Sequence, residues 1–403
     1  MKIAILGYGT VGAGVAGVLR ENRVMLQKKA GHEIEIKYIL DLRDFPGDPL
    51  EDRVVHDISP ILEDPEVQVV VETMGGLHPA HEFIEQALMA GKSVVTSNKD
   101  LVAEYGTQLG ALAEENHSDF FFEASVGGGI PIIRTMTTAL VQEEILEIQG
   151  ILNGTTNYIL TRMEQEGLSF EAALREAQEK GFAERNPEND IKGLDSCRKL
   201  AILSGIAYDA ALNWREISVT GIDGITKDDI AAAAALGCRI KLIAHSRKAG
   251  EKIYAAVEPM MVPEGHPLAS ISREYNCIML RGNMVEDVYF QGKGAGSAAT
   301  GSAVAADVSV AVTHKEQGRY FRRYGGTQYQ TVFSFGDLSR CYAIRTEGPV
   351  EAEGWTPVQG PEGLFIYRTA PVTRAQLEET KAVLQARGHK ILNCLAIEEE
   401  TPC

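Results

Sequence analysis

The stretch Lys2-Ile-Ala-Ile-Leu6-Gly7-Tyr-Gly9-Thr-Val-Gly12 decides the fold prediction. An apolar run of strand length leads into the spacing Gly-x-Gly-x-x-Gly, and an apolar-faced helical segment follows. In such a unit the glycines permit a tight turn, close approach of a pyrophosphate to the backbone and close helix–strand packing, and the amides that open the helix face the phosphates. A glycine triplet alone would also fit an ordinary turn, but its place between a strand and a helix favours a dinucleotide site. The predicted cofactor-binding residues are Gly7, Gly9, Thr10, Val11 and Gly12.

The end of the second predicted strand bears on the choice of cofactor. The strand-like segment 33–40 ends at Asp41-Leu-Arg43. A carboxylate at this position can accept hydrogen bonds from the adenosine ribose of NAD, whereas a nearby arginine can accommodate the 2′-phosphate of NADP. Because the sequence offers both Asp41 and Arg43, it leaves NADP or NAD open as the cofactor.

Further strand–helix units follow the first one. Strand-like segments at 67–72, 93–96 and 119–123 each lead into a polar or glycine-rich turn. This alternation predicts an α/β fold with a Rossmann-like, doubly wound parallel sheet. Ligands gather at the carboxyl ends of such strands, where Lys99 stands just past one strand and Glu123 closes another. From position alone, Lys99 could also be a solvated loop lysine, and Glu123 could cap the glycine loop that follows it.

The segment 181–199, within a region of α+β pattern, carries the other chemical groups. Asp195 and Lys199 are four residues apart, so a helix would place them on one face, and Glu184 precedes them in a polar loop. Two carboxylates and an ammonium at the start of an apolar helix could hold a small zwitterion and donate a proton to it. The alternative is an exposed i,i+4 salt bridge, worth roughly 0.3–0.5 kcal/mol.

The composition disfavours several classes of partner. The chain has 403 residues, 44% hydrophobic residues and a net charge of -17, which is typical of a soluble protein with more than one domain. This charge predicts no nucleic-acid partner and no binding to an anionic membrane surface. The six cysteines lack metal-ligand spacing, and the sequence enters a strand at once without a leader or a spanning apolar run. We therefore expect a cytoplasmic protein with reduced thiols.

In its motifs, taken together, the chain resembles homoserine dehydrogenase. The matching segments, in order along the chain, are Gly7-Tyr-Gly-Thr-Val-Gly12, Glu72-Thr-Met-Gly-Gly76, Thr96-Ser-Asn-Lys99, Glu123-Ala-Ser-Val-Gly-Gly-Gly-Ile-Pro-Ile132, Asn153-Gly-Thr-Thr-Asn-Tyr-Ile159, 181–199, Gly294-Ala-Gly296 and Thr300-Gly-Ser-Ala-Val-Ala-Ala-Asp307. The resemblance implies NAD(P)-dependent interconversion of L-aspartate 4-semialdehyde and L-homoserine. That reaction serves the biosynthesis of threonine, methionine and isoleucine.

The resemblance also implies roles for individual residues. Lys199 matches the proton donor, and Lys99 matches a second active-site lysine near the nicotinamide. The implied substrate site contains Glu184, Asp195 and Gly181, and the loop that holds Gly294 would cover the cofactor. The implied ligands of a monovalent cation, commonly sodium, are Glu123 and the main-chain carbonyls of Val126, Gly128 and Ile130. A homodimer or homotetramer is the expected assembly.

The patterns and the resemblance together predict three domains. A dinucleotide-binding domain spans 1–130, with helix 302–325 returning to it, a substrate and dimerisation domain spans 131–325, and an ACT-like domain spans 336–403. The sequence predicts only ββαβ in this last segment, instead of the βαββαβ order of an ACT domain. Its acidic stretch 346–354 is too short and too interrupted for a helix, so we do not expect threonine to bind there.

Two other functions stay open at this point. An aspartate-semialdehyde dehydrogenase would need a thiol nucleophile, and Cys197 lies inside the predicted helix, a poor position for attack on a carbonyl. A non-catalytic NAD(P)-binding sensor would need only the glycine loop, so the group formed by Glu184, Asp195 and Lys199 argues against it.

Overall fold

The computed structural model describes residues 1–318 and 325–398. Its contacts divide the chain into two compact units. Unit 1 consists of the described residues of 1–144, 201–213 and 292–330, and unit 2 of those of 145–200, 214–291 and 331–403. The predicted helix 302–325 and the predicted domain 336–403 lie partly outside the described residues. The three functional domains stay a prediction.

The first part of the chain alternates strands and helices. Its elements are β1 (Lys2–Leu6), α1 (Thr10–Glu21), α2 (Arg23–Ala30), β2 (Glu35–Leu40), β3 (Val54–Val55), α3 (Ser59–Glu63), β4 (Val67–Glu72), α4 (Ala80–Met89), β5 (Ser93–Thr96), α5 (Lys99–Glu115), β6 (Phe120–Phe121) and α6 (Ile132–Arg134).

The middle of the chain has longer strands. Its elements are β7 (Ile145–Ile151), α7 (Gly154–Glu166), α8 (Phe170–Glu179), α9 (Glu188–Ile191), α10 (Leu194–Ala207), β8 (Ser218–Val219), α11 (Lys227–Ala235), β9 (Cys238–Ala249), β10 (Lys252–Pro263), β11 (Tyr275–Gly282) and β12 (Glu286–Lys293). The last part contains α12 (Ser297–Gln317), β13 (Val332–Phe333), β14 (Tyr342–Thr346), β15 (Trp355–Val358), β16 (Phe365–Thr369), α13 (Arg374–Ala386) and β17 (Ile391–Ile397).

The sheet of unit 1 is parallel. Within the described residues, six strands form it in the order β3-β2-β1-β4-β5-β6. This is the doubly wound order of dinucleotide-binding folds, so the predicted Rossmann-like fold is confirmed. The Gly7 amide donates to the Leu40 carbonyl (2.8 Å), and the Thr73 amide donates to the Leu6 carbonyl (2.9 Å). The loops that follow β1, β2 and β4 therefore meet at one edge of the sheet.

Helix α12 supplies part of the core of unit 1. Its apolar side chains, including Val304 and Val308, pack with Ile3 and Ile5 of β1 and with Val15 of α1. Such a sheet is stable only when helices cover it, because its strands are apolar on both faces. The glycines of α1 and α12 allow a close crossing: a Cβ on Gly301 would lie 2.8 Å from the carbonyl carbon of Gly14.

One strand of unit 1 is shorter than predicted. The prediction of a strand over 119–123 that Glu123 closes is wrong, because β6 covers only Phe120–Phe121 and Glu123 begins a 3₁₀ turn, Glu123–Ser125. The physical reason is that the Glu123 amide donates to Asp307 Oδ2 (2.9 Å) instead of continuing the ladder with β5.

Unit 2 is built on a mixed sheet. Among the described residues its strands run β12-β11-β7-β9-β10-β17-β14-β16-β15, and β8 and β13 also pair with β10. Strands β9 and β10 pair antiparallel along their whole length, from Lys252 opposite Ala249 to Pro263 opposite Cys238. The sequence predicted β7 and parts of β10 and β11, but not β9, whose lysine and arginine residues interrupt a simple alternation.

The carboxyl-terminal strands continue this same sheet. Strand β17 pairs in parallel with β10, with Ala396 opposite Met260, and with β14 on its other side. The segment has the order βββαβ, because β15 is an additional strand that the sequence did not reveal. The stretch between β14 and β15 contains no helix, as expected from its glycines and proline.

Among residues 1–318 and 325–398, no helix is both long enough and apolar enough to cross a lipid bilayer.

Candidate active site

The glycine loop between β1 and α1 has the geometry that its spacing predicts. Gly7 has a φ of +90°, and a Cβ at Gly12 would lie 2.1 Å from the Gly7 carbonyl oxygen, so neither position accepts a side chain without strain. A Cβ at Gly9, by contrast, would meet nothing within 4 Å. Gly9 is the N-cap of α1 and has no side chain to cap it, so the first-turn amides of Thr10 and Val11 are available to a phosphate. The loop therefore fits a dinucleotide.

Asp41 and Arg43 form a tight pair beside this loop. Arg43 Nε donates to Asp41 Oδ1 and Arg43 Nη2 donates to Asp41 Oδ2, both at 3.0 Å. The Tyr8 amide also donates to Asp41 Oδ2 (2.8 Å). The hydrogen bonds from the Arg43 side chain, together with those from the backbone amides of Tyr8 and Arg43, hold the pKa of Asp41 well below its usual range. The carboxylate is therefore ionised, and its charge is balanced by the exposed guanidinium.

The loops after β4 and β5 are tied together by Glu72. This carboxylate is fully buried and accepts hydrogen bonds from Thr96 Oγ1 (2.5 Å) and from the Met74 amide (2.7 Å). Burial raises its pKa. Asn98 then caps α5 through its Oδ1, which accepts from the Leu101 amide (3.1 Å), and its Nδ2 donates to the Gly76 carbonyl (2.6 Å). Lys99 is the first residue of that helix and is partly buried.

The glycine loop 127–129 contacts the second glycine loop, 292–296. The Gly129 amide donates to the Lys293 carbonyl (3.0 Å), and a Cβ on Gly128 would lie 2.5 Å from the Gly294 carbonyl oxygen. Val126, Gly128 and Ile130 are buried in this region. Gly294 therefore lies against the loop that carries the proposed cation ligands.

Glu123 is buried below the same loop. Its two carboxylate oxygens accept from the amides of Ile133 (2.9 Å) and Arg134 (2.7 Å), and burial raises its pKa. Asp307 lies beside it, accepts from Arg134 Nη2 (2.5 Å), and has its pKa raised to about 7 by burial. In the described part of the chain, no group of three or more His, Cys, Asp or Glu side chains could hold a metal ion. Any cation here would depend on main-chain carbonyls.

In unit 2, α10 brings Asp195 and Lys199 together. Lys199 Nζ donates to Asp195 Oδ2 (2.7 Å) and to the carbonyl of Leu152 (2.8 Å). Asp195 is only 4% exposed and Lys199 only 9% exposed. The pair is therefore not the exposed salt bridge that the spacing alone also allowed. A buried ammonium beside a carboxylate and a carbonyl is suited to stabilise or protonate an oxyanion.

Two polar residues of this cluster were missed by sequence reasoning. Asn153 Nδ2 donates to Asp195 Oδ2 (2.8 Å) and to Asp190 Oδ1 (2.7 Å). The position of Asn153, directly after a strand and directly before a helix, is a signal that could have singled it out. Nothing local in the sequence marks Asp190, since it lies in a polar stretch that is rich in such residues.

Glu184 and Gly181 lie in the loop between α8 and α9. Gly181 has a φ of +76°, which a glycine adopts without strain, and ends α8. Glu184 is exposed, and its backbone carbonyl accepts from Gln178 Nε2 (3.1 Å). The contact of the Phe182 carbonyl with Thr155 Oγ1 (2.6 Å) fixes this loop on α7. The structure thus joins Asp195 to Lys199 and Asn153, while Glu184 remains on the surface of the loop.

Cys197 is not placed for nucleophilic chemistry. Its side chain is fully buried, its Sγ donates to the Trp214 carbonyl (3.2 Å), and burial raises the pKa of the thiol to about 12. A thiol in this state forms little thiolate at neutral pH. The geometry therefore opposes the aspartate-semialdehyde dehydrogenase alternative.

Comparisons with known proteins agree over most of the chain. A family model described as the NAD binding domain of homoserine dehydrogenase matches residues 7–123, and one described as homoserine dehydrogenase matches 131–309. The homoserine dehydrogenase of Lactococcus lactis is 39% identical over 395 residues, covering 96% of this chain and 90% of the relative. That of Bacillus subtilis is 38% identical over 337 residues, covering 82% and 77%.

Solved structures give the same result. The crystal structure of a homoserine dehydrogenase from Thiobacillus denitrificans superposes with a TM-score of 0.90 at 31% identity, covering 99% of this chain and 98% of that one. A hyperthermophilic archaeal homoserine dehydrogenase in complex with NADPH superposes with a TM-score of 0.65 at 28% identity, covering 77% and 97%.

Proposed function

This chain belongs to the homoserine dehydrogenase family, and from that premise we propose the roles of its residues in the reaction. It is an NAD(P)-dependent oxidoreductase that interconverts L-aspartate 4-semialdehyde and L-homoserine in the biosynthesis of amino acids. The observation that carries the proposed roles is the buried contact of Lys199 with Asp195 and with the Leu152 carbonyl.

Lys199 is the proposed proton donor and acceptor. The nicotinamide cofactor, when bound, supplies or accepts the hydride. Reduction of the aldehyde leaves negative charge on its oxygen, and a preorganised ammonium in a site that excludes water stabilises that charge and then neutralises it by proton transfer. The Lys199 side chain meets this requirement, because it is buried and is held by two acceptors. Lys99, at the start of α5, is the proposed second lysine and cofactor contact.

Asp195, Glu184 and Gly181 form the proposed substrate site. The substrate carries an ammonium in every state of the reaction, so a carboxylate that binds it should contribute to affinity more than to turnover. Asp195 accepts hydrogen bonds from Asn153 and Lys199, a setting that suits a carboxylate in this role. Glu184 is exposed, and in this proposal it binds substrate only when its loop closes over Asp195.

Both NADP and NAD fit the site beside the glycine loop. The net charge of the Asp41–Arg43 pair is close to zero, so the pair does not strongly repel a 2′-phosphate. The Asp41 carboxylate can still accept hydrogen bonds from the ribose hydroxyls of NAD. The archaeal relative was solved in complex with NADPH, which supports NADP as one cofactor of this chain. Gly294 is the proposed residue that covers it, since its loop packs on the loop 127–129.

A monovalent cation, sodium, is proposed at Glu123 with the carbonyls of Val126, Gly128 and Ile130. Glu123 accepts from the backbone amides of Ile133 and Arg134, whereas Asp307 accepts from the Arg134 guanidinium. These two buried acids therefore have a deficit of positive charge around them when both are ionised. A single positive charge would balance it. Thermal unfolding in sodium chloride and in choline chloride of equal strength tests the site. Sodium should stabilise the wild type but not Glu123→Gln.

Assembly and location are also proposals. A homodimer or homotetramer rests on the family, and sedimentation of the purified enzyme tests it. A cytoplasmic location is supported by the cysteines Cys197, Cys238 and Cys277, which are buried as thiols.

The function is tested by following NAD(P)H with L-homoserine as substrate. The enzyme should reduce NADP or NAD with L-homoserine, and in reverse should consume NAD(P)H with aspartate 4-semialdehyde. An aspartate-semialdehyde dehydrogenase would instead reduce NADP with the semialdehyde only when phosphate is present. A sensor would bind cofactor without turnover with either substrate.

A further inference from the structure

Asn153 lies between Asp195 of the proposed substrate site and a second acid, Asp190. It lies between β7 and α7, is 5% exposed, and is the N-cap of α7. Its Oδ1 accepts from the Thr156 amide (2.9 Å). Because a backbone amide can only donate, the oxygen of the side chain must face Thr156, and the NH₂ group must face the carboxylates.

Both hydrogens of that NH₂ group are then used on carboxylates. One goes to Asp195 Oδ2 at 2.8 Å and the other to Asp190 Oδ1 at 2.7 Å. Asp195 Oδ2 also accepts from Lys199. A buried carboxylate needs donors of this kind to remain ionised, since burial alone favours the neutral acid.

The residue that precedes Asn153 fixes the lysine. The Leu152 carbonyl accepts from Lys199 Nζ (2.8 Å) and from Asn276 Nδ2 (2.9 Å). Leu152 and Asn153 together therefore hold the two groups of α10 from the end of β7. The distance along the chain, 42 residues between Asn153 and Asp195, means that this alignment depends on the fold and not on the helix alone.

We propose that Asn153 is the positioning residue of the substrate site, which holds Asp195 in its orientation and couples it to Asp190. The proposal rests on the proposed roles of Asp195 and Lys199. Asn153 acts through Asp195. Asn153 also has a purely structural role as the N-cap of α7, and the test must separate this role from the positioning of Asp195.

Two substitutions make this separation. Serine and aspartate cap helices about as well as asparagine, so Asn153→Ser and Asn153→Asp keep the cap. Serine is too short to donate to both acids, and aspartate replaces the donor with a third carboxylate. We expect kcat/KM for homoserine to fall about 10- to 100-fold in Asn153→Ser, and further in Asn153→Asp, because displaced groups in a site lose rate steeply. The KM for the nicotinamide cofactor should stay unchanged, since the glycine loop belongs to unit 1.

Ser169→Ala is the matched control. Ser169 caps α8 by accepting from the Ala172 amide (3.3 Å) and has no role in the proposed site. Its loss should lower the unfolding temperature while leaving the kinetic constants for homoserine within about twofold, because surface capping affects stability and not chemistry.

A double-mutant cycle with Asp195→Asn gives the decisive result. If Asn153 acts through Asp195, Asn153→Ser should cost much less in the Asp195→Asn background than in the wild type. Independent effects that multiply, or wild-type kinetics in Asn153→Ser, would overturn the positioning role while leaving the proposed function intact. Wild-type kinetics in Asp195→Asn would instead remove the proposed role of Asp195, and the positioning role would fall with it.

Discussion

Replacing Lys199 with alanine tests the proposed chemistry most directly. Lys199 Nζ donates to Asp195 and to the Leu152 carbonyl, and the residue is only 9% exposed, so water cannot easily take its place. General acid–base catalysis typically contributes about 10²–10⁴-fold. At about 1.36 kcal/mol for each factor of ten, the loss corresponds to roughly 2.7–5.4 kcal/mol of transition-state stabilisation.

The same substitution also removes a buried positive charge. Breaking a buried ion pair by deleting one partner costs about 3–5 kcal/mol of stability when the remaining charge is left uncompensated. Here Asn153 still donates to Asp195, so we expect a loss toward the lower end of that range. Turnover must therefore be measured below the unfolding transition, with circular dichroism and cofactor binding as proof of folding. Cofactor binding should persist, because the glycine loop and Lys199 belong to different units.

The assay follows NAD(P)H formation at saturating homoserine. Lys180→Ala is the control, since Lys180 forms an i,i+4 pair with Glu176 of comparable spacing but on the surface. Its turnover should stay within about threefold of the wild type, because exposed pairs contribute little. A folded Lys199→Ala protein that keeps more than about a tenth of wild-type turnover would refute the role of Lys199 as proton donor.

Three further predictions follow from the other residues. Lys99→Ala should cripple turnover, whereas Asp195→Asn and Glu184→Gln should chiefly raise the KM for homoserine; steady-state kinetics check this, and acid variants with lower turnover at unchanged KM would reverse the roles. Asp41→Ala should shift the ratio of kcat/KM values toward NADP, and an unchanged ratio would show that Asp41 does not discriminate between the cofactors. Burial raises the pKa of Asp307 from 3.8 to about 7, so the folded protein holds a proton that the unfolded chain has lost between these pH values. The wild type should therefore lose stability relative to Asp307→Asn as pH rises through this window, by at most about 4 kcal/mol, measured by urea unfolding at each pH; a constant difference would contradict the raised pKa.

The sequence predicted those parts of the molecule that depend on local spacing. The glycine loop could be predicted because Gly7 and Gly12 are both under local steric constraint: a Cβ on Gly12, for example, would lie 2.1 Å from the Gly7 carbonyl oxygen. The pairing of Asp195 with Lys199 was readable because four residues make about one helical turn. The doubly wound parallel sheet could be predicted from the alternation of strands and helices, since right-handed crossovers leave few topologies.

Contacts between distant segments could not be predicted from the sequence. Asn153 and Asp195 meet only because β7 and α10 are adjacent in the fold, and Glu72 meets Thr96 only because β4 and β5 are neighbours. The end of β6 was misjudged for a similar reason. The three phenylalanines of the run 120–122 suit a strand, but the contact of the Glu123 amide with Asp307, far along the chain, ends it.

The carboxyl-terminal segment also makes contacts with distant strands that the sequence does not predict, and these contacts bear on its function. Its strands join the sheet of unit 2 through the pairing of β17 with β10. Tyr342 and Ile344 share a core with Met260 and Val262. A sequence does not reveal such pairing between strands far apart in the chain, and the ACT-like domain stays a prediction. After β14 the chain continues into an acidic loop and not into a helix, so no helix start is present there to attract the carboxylate of an amino acid. Together with the shared core, this favours a role in stabilising unit 2 over a role in binding threonine.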